Sequence, residues 1–325
     1  MTSPESPQES SRTLREELGD KRIFLTGGTG FFGKSILSML QRGFLPETCF
    51  TVLSRDPRKF LDRNQEFNGM KQVEFLAGDV RNFSFPNGHF DAVIHAATPA
   101  VTTLPPGEMR SIILDGTRRV IDFARHCGAE KLMLTSSGAV YGVQPPDLER
   151  IPEEFPCRPV TEYGIAKYEA EQMCIESGID TLLPRCFAFV GPYLNREIHF
   201  AIGNFIRDAL AGRTIVIKGD GTPMRSYLYA DDLVEWLFTI LAQGENATPY
   251  NVGSDRAVSI RELAETVRNV LHSQSEIEVC ESPVPGAKPS RYIPSIRRAY
   301  ELGLTCRTPL EEAIRLSRGP ASPVR

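Results

Sequence analysis

Short apolar runs alternate along this chain with longer segments in which apolar residues recur every three to four positions. The runs lie at residues 23–26, 50–53, 73–77, 92–94, 131–135 and 180–184, and helix-period segments include 33–42, 116–126 and 163–177. A short apolar run predicts a buried strand, and the longer period predicts an amphipathic helix. Their alternation predicts an α/β fold, a doubly wound parallel sheet with helices on both faces.

The pattern changes after about residue 190. Pro and Gly become frequent, and predicted helices at 204–211 and 260–271 are separated by irregular segments. We therefore expect a smaller C-terminal lobe. The polar residues 1–20 and 317–325 carry no long apolar run and are expected to be a flexible N-terminal segment and a frayed tail. Residues 14–18 offer one helical turn as the alternative to a flexible segment there.

Composition narrows the class of protein. The chain has 325 residues, with 37 Lys and Arg against 41 Asp and Glu, which gives a net charge of −4. This balance argues against a general nucleic-acid or membrane-surface binder. The seven cysteines include no C-x-x-C pair, and no apolar run is long enough to span a membrane. These features predict free thiols, no metal site and a cytoplasmic location.

The first predicted strand runs into the sequence TGGTGFFG at 26–33. Gly27, Gly30 and Gly33 form G-x-x-G-x-x-G, and a predicted helix follows. A strand that turns sharply into a helix beside a pyrophosphate needs positions without Cβ atoms, and the helix N-terminus offers amide groups to the anion. The context of strand, glycine loop and helix predicts a dinucleotide site.

The end of the second strand bears on which dinucleotide binds. An acid at this place holds the ribose 2′-hydroxyl of NAD, whereas an arginine suits the 2′-phosphate of NADP. Here the strand ends in Ser54 and Arg55, followed by Asp56. We favour NADP(H) on the basis of Arg55, with NAD as the alternative because of Asp56.

Several motifs, taken in order, resemble those of the extended short-chain dehydrogenase/reductases, in particular the nucleotide-sugar epimerase/dehydratase/reductase group. They are the glycine loop, LAGDV at 76–80, VIHAAT at 93–98, TSSGAVYG at 135–142, Y-x-x-x-K at 163–167, PRCFAFVGP at 184–192 and GDGTPMRSYLYADDL at 219–233. The resemblance runs from about residue 21 to about residue 316. It implies a Rossmann domain over 21–190 completed by about 226–253, and a substrate lobe over 191–225 and 254–316.

The resemblance also implies roles for individual residues. The implied cofactor-binding set is Gly27, Gly30, Phe31, Phe32, Gly33, Ser54, Arg55, Asp79, Val80, Ala96, Ala97, Tyr163 and Lys167. Arg225 and Arg291 would face the substrate's phosphates, and His199 would line the sugar pocket. The helices at 109–126 and 160–177 would pair with their copies in a homodimer, as in relatives.

Ser137, Tyr163 and Lys167 are the predicted catalytic residues. Tyr163 and Lys167 are four residues apart, so they share one face of a helix. A tyrosine with a pKa near ~10 is a poor base at neutral pH, and a nearby ammonium is expected to lower that pKa. In a reduction, Tyr163 would give a proton to a carbonyl oxygen that Ser137 also binds. Ser136 is the alternative to Ser137.

Departures from the family pattern help to choose the reaction. Sugar dehydratases of this family carry an Asp-Glu pair where this chain has Gly138 and Ala139. We therefore expect NADPH-dependent reduction of a keto group, at C4, of a nucleotide-diphosphate 6-deoxy sugar, with a dTDP sugar as first choice from the resemblance. The alternatives are an NAD-dependent nucleotide-sugar 4-epimerase, less favourably a 4,6-dehydratase, and a non-catalytic NADP-sensing protein.

Overall fold

The computed structural model describes residues 14–98, 104–105, 107–198 and 200–319. The strands, numbered in chain order, are β1 (Arg22–Thr26), β2 (Cys49–Ser54), β3 (Val73–Ala77), β4 (Ala92–His95), β5 (Lys131–Leu134), β6 (Ser136–Ser137), β7 (Asp180–Cys186), β8 (Phe189–Val190), β9 (Ile215–Ile217), β10 (Met224–Arg225), β11 (Leu228–Tyr229), β12 (Pro249–Val252), β13 (Val258–Ser259), β14 (Ile277–Val279) and β15 (Arg291–Tyr292). The α-helices are α1 (Phe31–Gln41), α2 (Pro57–Arg63), α3 (Glu108–Cys127), α4 (Glu162–Ile175), α5 (Ala201–Leu210), α6 (Ala230–Gln243), α7 (Ile260–Val270), α8 (Arg297–Glu301) and α9 (Leu310–Leu316).

The central sheet is parallel, with strand order β12-β7-β5-β4-β1-β2-β3, and β6 pairs with β7 beside β5. The chain order reverses between β1 and β4, because β2 and β3 extend one side of the sheet and the later strands extend the other. The crevice outside the carboxyl ends of the strands at such a reversal is where doubly wound sheets bind ligands. The predicted doubly wound parallel sheet is confirmed.

Helices cover both faces of the sheet because successive strand residues point to opposite sides. In β1, Ile23 and Leu25 pack into one core with α1 and α6. The intervening Phe24 packs into a second core with α3 and α4. The sheet is therefore buried on both sides, which explains the continuous apolar runs of its strands.

Helix α3 spans Glu108–Cys127, close to the 109–126 that the resemblance implies, and the apolar period recognised from residue 116 covers its second half. Gly116 lies inside the helix, where a Cβ would stand 3.0 Å from Val80 Cγ1. The glycine therefore serves close packing against the segment after β3 and does not mark a helix end.

The C-terminal lobe has its own hydrophobic core. Helices α5, α7 and α9 contribute Ile202, Phe205, Leu263, Val267 and Ile314 to it, together with residues of β9. The lobe is joined to the site by two small sheets, in which β10 pairs with β13 and β15, and β8 pairs with β11. These pairings carry lobe residues to the carboxyl edge of the central sheet.

Both termini are more ordered than the sequence suggested, within the described residues. Residues 14–18 are helical, and Leu14 and Leu18 are buried in the first core. At the other end, Ser317 is buried, and the Arg196 guanidinium donates to the Ser317 and Gly319 carbonyls. Residues 14–18 therefore form the helical turn that the sequence offered as the alternative to a flexible segment there, and Arg196 holds residues 317–319, which were expected to fray.

Candidate active site

The backbone of the glycine loop between β1 and α1 packs tightly against itself and against the end of β4. This close packing leaves room for a ligand beside the loop. Gly27 has φ +75°, and a Cβ there would stand 2.4 Å from the Ala96 carbonyl. A Cβ on Gly33 would stand 2.1 Å from Gly28 Cα. The loop can close beside β4 only with glycine at these positions.

The N-terminus of α1 is suited to an anion. Its N-cap, Gly30, supplies no side-chain hydrogen bond to the helix, and the first turn carries no acidic residue. The first amide groups and the positive end of the helix dipole are therefore available to a pyrophosphate. Phe31 and Phe32 form that first turn, and both rings pack against Phe189, with centroids 6.3 and 5.2 Å away. The cradle fits the dinucleotide that the sequence predicted.

Charged side chains of both signs follow β2 and β3, beside this cradle. Asp79 accepts hydrogen bonds from Arg81 Nε at 2.8 Å and Nη2 at 2.9 Å. Hydrogen bonds from Arg81 hold the pKa of Asp79 below its usual value, and the charge of Arg55 contributes. Asp56, the acid that favoured NAD, instead caps α2 by accepting from the Lys59 amide at 2.9 Å. Sequence reasoning missed Arg81, although it follows Asp79 by two residues.

His95 at the end of β4 forms hydrogen bonds that link β4 to β1 and to α3. Thr117 donates to the Ile113 carbonyl at 2.6 Å, so its oxygen accepts from His95 Nε2 at 3.2 Å. His95 Nδ1 then accepts from Thr26 Oγ1 at 2.8 Å, and Thr26 accepts from the Ala97 amide at 3.2 Å. Burial lowers the pKa of His95 to about 3, so this histidine is neutral. It is a packed core residue that aligns β1 with β4.

The predicted catalytic residues meet where β6 faces α4. Thr161 caps α4 by accepting from the Gly164 amide at 3.0 Å, which places Tyr163 and Lys167 on the face toward β6. Ser137, whose Oγ accepts from the Ala139 amide at 3.2 Å, lies near the Tyr163 side chain. Lys167 is buried, and its Nζ donates to Thr98 Oγ1 at 2.7 Å and to the Thr135 carbonyl at 2.8 Å.

The protonation of Tyr163 differs from the expectation. Burial raises the pKa of Tyr163 to about 12, and the nearby Ser137 side chain opposes this shift. Burial lowers the pKa of Lys167 to about 8. The expected lowering of the tyrosine pKa by the ammonium is wrong here, because burial outweighs it and the Lys167 protons are directed at Thr98 and Thr135. The resting Tyr163 is therefore a proton donor at neutral pH.

The choice between the two serines follows from a buried network behind β6. Ser136 donates to Glu171 Oε1 at 2.5 Å, and Glu171 also accepts two bonds from Arg185, at 3.0 and 2.8 Å. The Arg185 guanidinium lies over the Tyr141 ring, 4.8 Å from its centroid. Ser136 therefore faces this network, and Ser137 faces Tyr163.

A residue from the lobe completes the site, and sequence reasoning assigned it no role there. The ring of Tyr292 on β15 packs on Phe187 with centroids 4.7 Å apart, and its hydroxyl lies beside Gly138, 2.6 Å from where a Cβ on that glycine would stand. Only tertiary structure brings it there. Cys186, the register partner of Ser137, has its pKa raised to about 12 by burial, so its thiol stays protonated and is not a nucleophile.

The predicted substrate residues fall in different places. Arg225 on β10 is the register partner of Tyr292, so the two side chains share one face of the small sheet. Arg291 precedes Tyr292 in the strand and projects to the opposite face, where its Nε contacts the Glu149 carbonyl at 3.4 Å. His199 lies outside the described residues. The structure therefore brings Arg225 toward the site and leaves Arg291 on the other face.

The described parts of the chain lack two features, a metal-binding cluster and a membrane-spanning helix. No three His, Cys, Asp or Glu side chains are grouped to hold a metal ion there. No helix in those parts has the length and apolar character that a membrane crossing needs.

Comparison with known proteins places this arrangement in a family. UDP-glucuronic acid decarboxylase 6 of Arabidopsis thaliana is 27% identical, over 96% of this chain and 91% of the relative. UDP-N-acetylglucosamine 4-epimerase of Methanobrevibacter ruminantium M1 has the same fold, with a TM-score of 0.80 and 21% identity over 92% of this chain and 97% of its own. RMD from Pseudomonas aeruginosa, solved in complex with NADPH, also has this fold, with a TM-score of 0.74. It is 24% identical, over 92% of this chain and 97% of its own.

The family assignment rests on the sequence match as well as on the site. The family model for the NAD dependent epimerase/dehydratase family matches residues 23–253 and so includes the glycine loop, Ser137, Tyr163 and Lys167. The chain therefore belongs to the NAD dependent epimerase/dehydratase family, a group of extended short-chain dehydrogenase/reductases.

Proposed function

We propose that this protein catalyses the NADPH-dependent reduction of a keto group, at C4, of a nucleotide-diphosphate 6-deoxy sugar. Two observations carry the proposal: Tyr163 and Lys167 lie on the face of α4 toward Ser137, and Arg55 follows β2, where it suits a consumed NADPH. Tyr163 would then act as the proton donor to the carbonyl oxygen.

The adenosine end supports the choice of NADPH. Arg81 is paired with Asp79 and Asp56 caps α2, so Arg55, whose charge acts on Asp79, is the cation that would meet a 2′-phosphate. A 2′-phosphate would be attracted to such a place. Gly27, Gly30 and Gly33 would hold the pyrophosphate against α1, and Lys167 would bind the nicotinamide ribose.

The proton that the carbonyl oxygen receives in this reaction comes from a residue of the protein. When bound, NADPH supplies a hydride to the carbonyl carbon. Tyr163 Oη transfers its proton to the carbonyl oxygen, so the C=O becomes CH–OH and the tyrosine becomes a phenolate. Ser137 hydrogen-bonds the same oxygen and stabilises its developing charge. Arg225 faces the substrate's diphosphate.

We also propose that the protein is a homodimer. Helices α3 and α4 pack side by side, and Arg110 on α3 pairs with Glu169 on α4 at 2.6 Å. Ile165 and Ile175 remain 39% exposed on α4. A second copy of the two helices would cover these apolar side chains.

The test is to mix the purified protein with NADPH and enzymatically prepared dTDP-4-keto-6-deoxyglucose and follow nicotinamide absorbance. The proposal predicts one NADPH oxidised per sugar, with activity lost in Tyr163→Phe while NADPH binding is kept. No oxidation by a folded protein that binds NADPH would contradict the choice of this sugar.

The 27% identity to a UDP-glucuronic acid decarboxylase favours one alternative, decarboxylation of a nucleotide sugar acid. That reaction, like 4-epimerisation, regenerates its cofactor and shows no net nicotinamide turnover. Tightly retained NAD together with CO₂ release from UDP-glucuronic acid would replace the proposed function by decarboxylation. Retained NAD with interconversion of C4 epimers would replace it by epimerisation.

A further inference from the structure

Two adjacent hydrogen bonds fasten the start of strand β6 to helix α4. Lys167 Nζ donates to the Thr135 carbonyl at 2.8 Å. The next residue along the strand, Ser136, donates from its Oγ to Glu171 Oε1 at 2.5 Å. Lys167 and Glu171 are four residues apart, so they lie on one face of α4, one turn from each other. Two successive residues of the chain are thus held by two successive helical turns, immediately before the catalytic Ser137.

The carboxylate that Ser136 meets is itself held in place. Arg185 donates to both oxygens of Glu171, at 3.0 and 2.8 Å, and both side chains are buried. Arg185 on β7 is also the register partner of Ser136. Hydrogen bonds to an ionised acceptor are shorter and stronger than those between neutral groups. The Ser136 hydroxyl therefore has a strong acceptor in a fixed place that solvent does not reach.

The same network anchors the chain on the other side of Ser137. Ser137 caps a short helical turn at 138–141, which ends at Tyr141. The Arg185 guanidinium lies over the Tyr141 ring, 4.8 Å from its centroid. The Tyr141 hydroxyl donates to Asn251 Oδ1 on β12 at 2.8 Å. The backbone before and after the catalytic serine is therefore tied to one buried set of polar groups.

We propose that Ser136 is a positioning residue whose hydrogen bond to Glu171 holds β6 against α4. The bond thereby sets the distance between Ser137 and Tyr163 when both contact the substrate's carbonyl oxygen. Glu171 lies about two turns after Tyr163, so one helix carries both the proton donor and the anchor of the strand. Catalysis is sensitive to such placement, because a displacement of about 1 Å can cost about a hundredfold in rate. This role rests on the proposed function.

The first test is steady-state kinetics of Ser136→Ala, which removes the hydroxyl and leaves the Glu171–Arg185 pair in place. We expect kcat to fall at least about tenfold, with KM within about twofold, because the binding contacts are kept while the reacting groups are misplaced. Ser317→Ala is the matched control. Ser317 is also buried and donates one side-chain hydrogen bond, to the Ala313 carbonyl at 2.6 Å, at the end of α9. A kcat for Ser136→Ala equal to that of Ser317→Ala, or a change in KM alone, would overturn the proposal.

Two more substitutions separate the hydrogen bond from the volume of the side chain. Ser136→Thr keeps the hydroxyl, whereas Ser136→Cys keeps the shape and offers only a weak donor. The threonine variant should recover most of the lost kcat, and the cysteine variant should resemble Ser136→Ala. A cysteine variant with the kcat of the wild type would show that the bond to Glu171 does not set the rate, and would overturn the proposal.

Hydrogen exchange of the free protein separates this inference from the proposed function, since it needs no substrate. Amide exchange of the segment 135–141, followed by mass spectrometry, should be at least about tenfold faster in Ser136→Ala than in Ser317→Ala, because opening the strand no longer breaks this bond.

Exchange at the rate of the Ser317→Ala control would overturn the anchor even in an active enzyme. Faster exchange together with the kcat of the wild type would overturn the positioning role. A wild type that reduces no keto sugar, in a protein whose Ser136→Ala variant shows the faster exchange, would overturn the proposed function and leave the anchor supported.

Discussion

The buried Glu171–Arg185 pair behind the catalytic strand yields a prediction whose size can be worked out from burial. The Glu171 side chain is 1% exposed and that of Arg185 is 8% exposed, and two hydrogen bonds join them. Glu171→Gln keeps the shape of the side chain but removes its negative charge. One of the two carboxylate oxygens that accept from Arg185 is replaced by an NH2 group, which can only donate. Arg185 then remains buried without a counter-charge.

Removing one partner of a buried pair destabilises a protein by about 3–5 kcal/mol, because the remaining charge is uncompensated. We expect a loss in this range for Glu171→Gln. The same helix provides the control, since Glu169 forms a similar two-bond pair with Arg110 at 3.1 and 2.6 Å, with both side chains about 40% exposed. Glu169→Gln should change the free energy of unfolding by only about 0.2–1 kcal/mol.

Urea unfolding followed by tryptophan fluorescence measures both variants. The single tryptophan, Trp236, is buried in α6 and reports on the main core. With equal m-values, the difference in midpoint gives the difference in stability. The reasoning is that burial, and not the number of hydrogen bonds, decides how much this ion pair stabilises the protein. A loss of unfolding free energy in Glu171→Gln no greater than that in Glu169→Gln would refute it.

Three further predictions concern cofactor choice, pH and assembly. Arg55→Ala should weaken NADPH binding much more than NADH binding by calorimetry, whereas Arg63→Ala at the end of α2 should alter neither; equal losses for both cofactors would contradict the 2′-phosphate assignment. The pKa of His95 is about 3 in the folded chain and 6.5 in the unfolded chain, so between these pH values the unfolded chain binds a proton that the folded chain does not. The free energy of unfolding should therefore fall by about 4 kcal/mol as pH drops from 6.5 to 3. His95→Asn should flatten that fall in pH-dependent urea unfolding, and an unchanged slope would show that His95 is not its source. Light scattering at micromolar concentration should give twice the chain mass, and a monomer would refute the homodimer through α3 and α4.

The sheet and the glycine loop were predictable because their signals are local. Apolar runs identify strands buried on both faces, and the glycine spacing at 27, 30 and 33 needs only the adjacent strand and helix to be interpreted. The bounds of α3 were close to the 109–126 that the resemblance implied, since the helix spans Glu108–Cys127. The role of Gly116 inside it, close packing against Val80, is visible only in the folded chain.

The chemistry of the site depends on contacts between distant parts of the chain, and sequence alone could not supply it. Tyr292 is 155 positions beyond Ser137, and its approach depends on the pairing of β15 with β10. The pKa of Tyr163 was expected to fall because Lys167 is near in sequence. In the fold, burial decides the direction, and the lysine protons go to Thr98 and Thr135.

The most direct test of the central claim follows the hydride itself. NADPH carrying deuterium at the transferred position of the nicotinamide would be incubated with the keto sugar, and the product examined by NMR and mass spectrometry. The account predicts one deuterium on the sugar carbon that bore the carbonyl, absent from the Tyr163→Phe reaction. A converted sugar without deuterium would contradict net reduction and point to an activity that regenerates its cofactor.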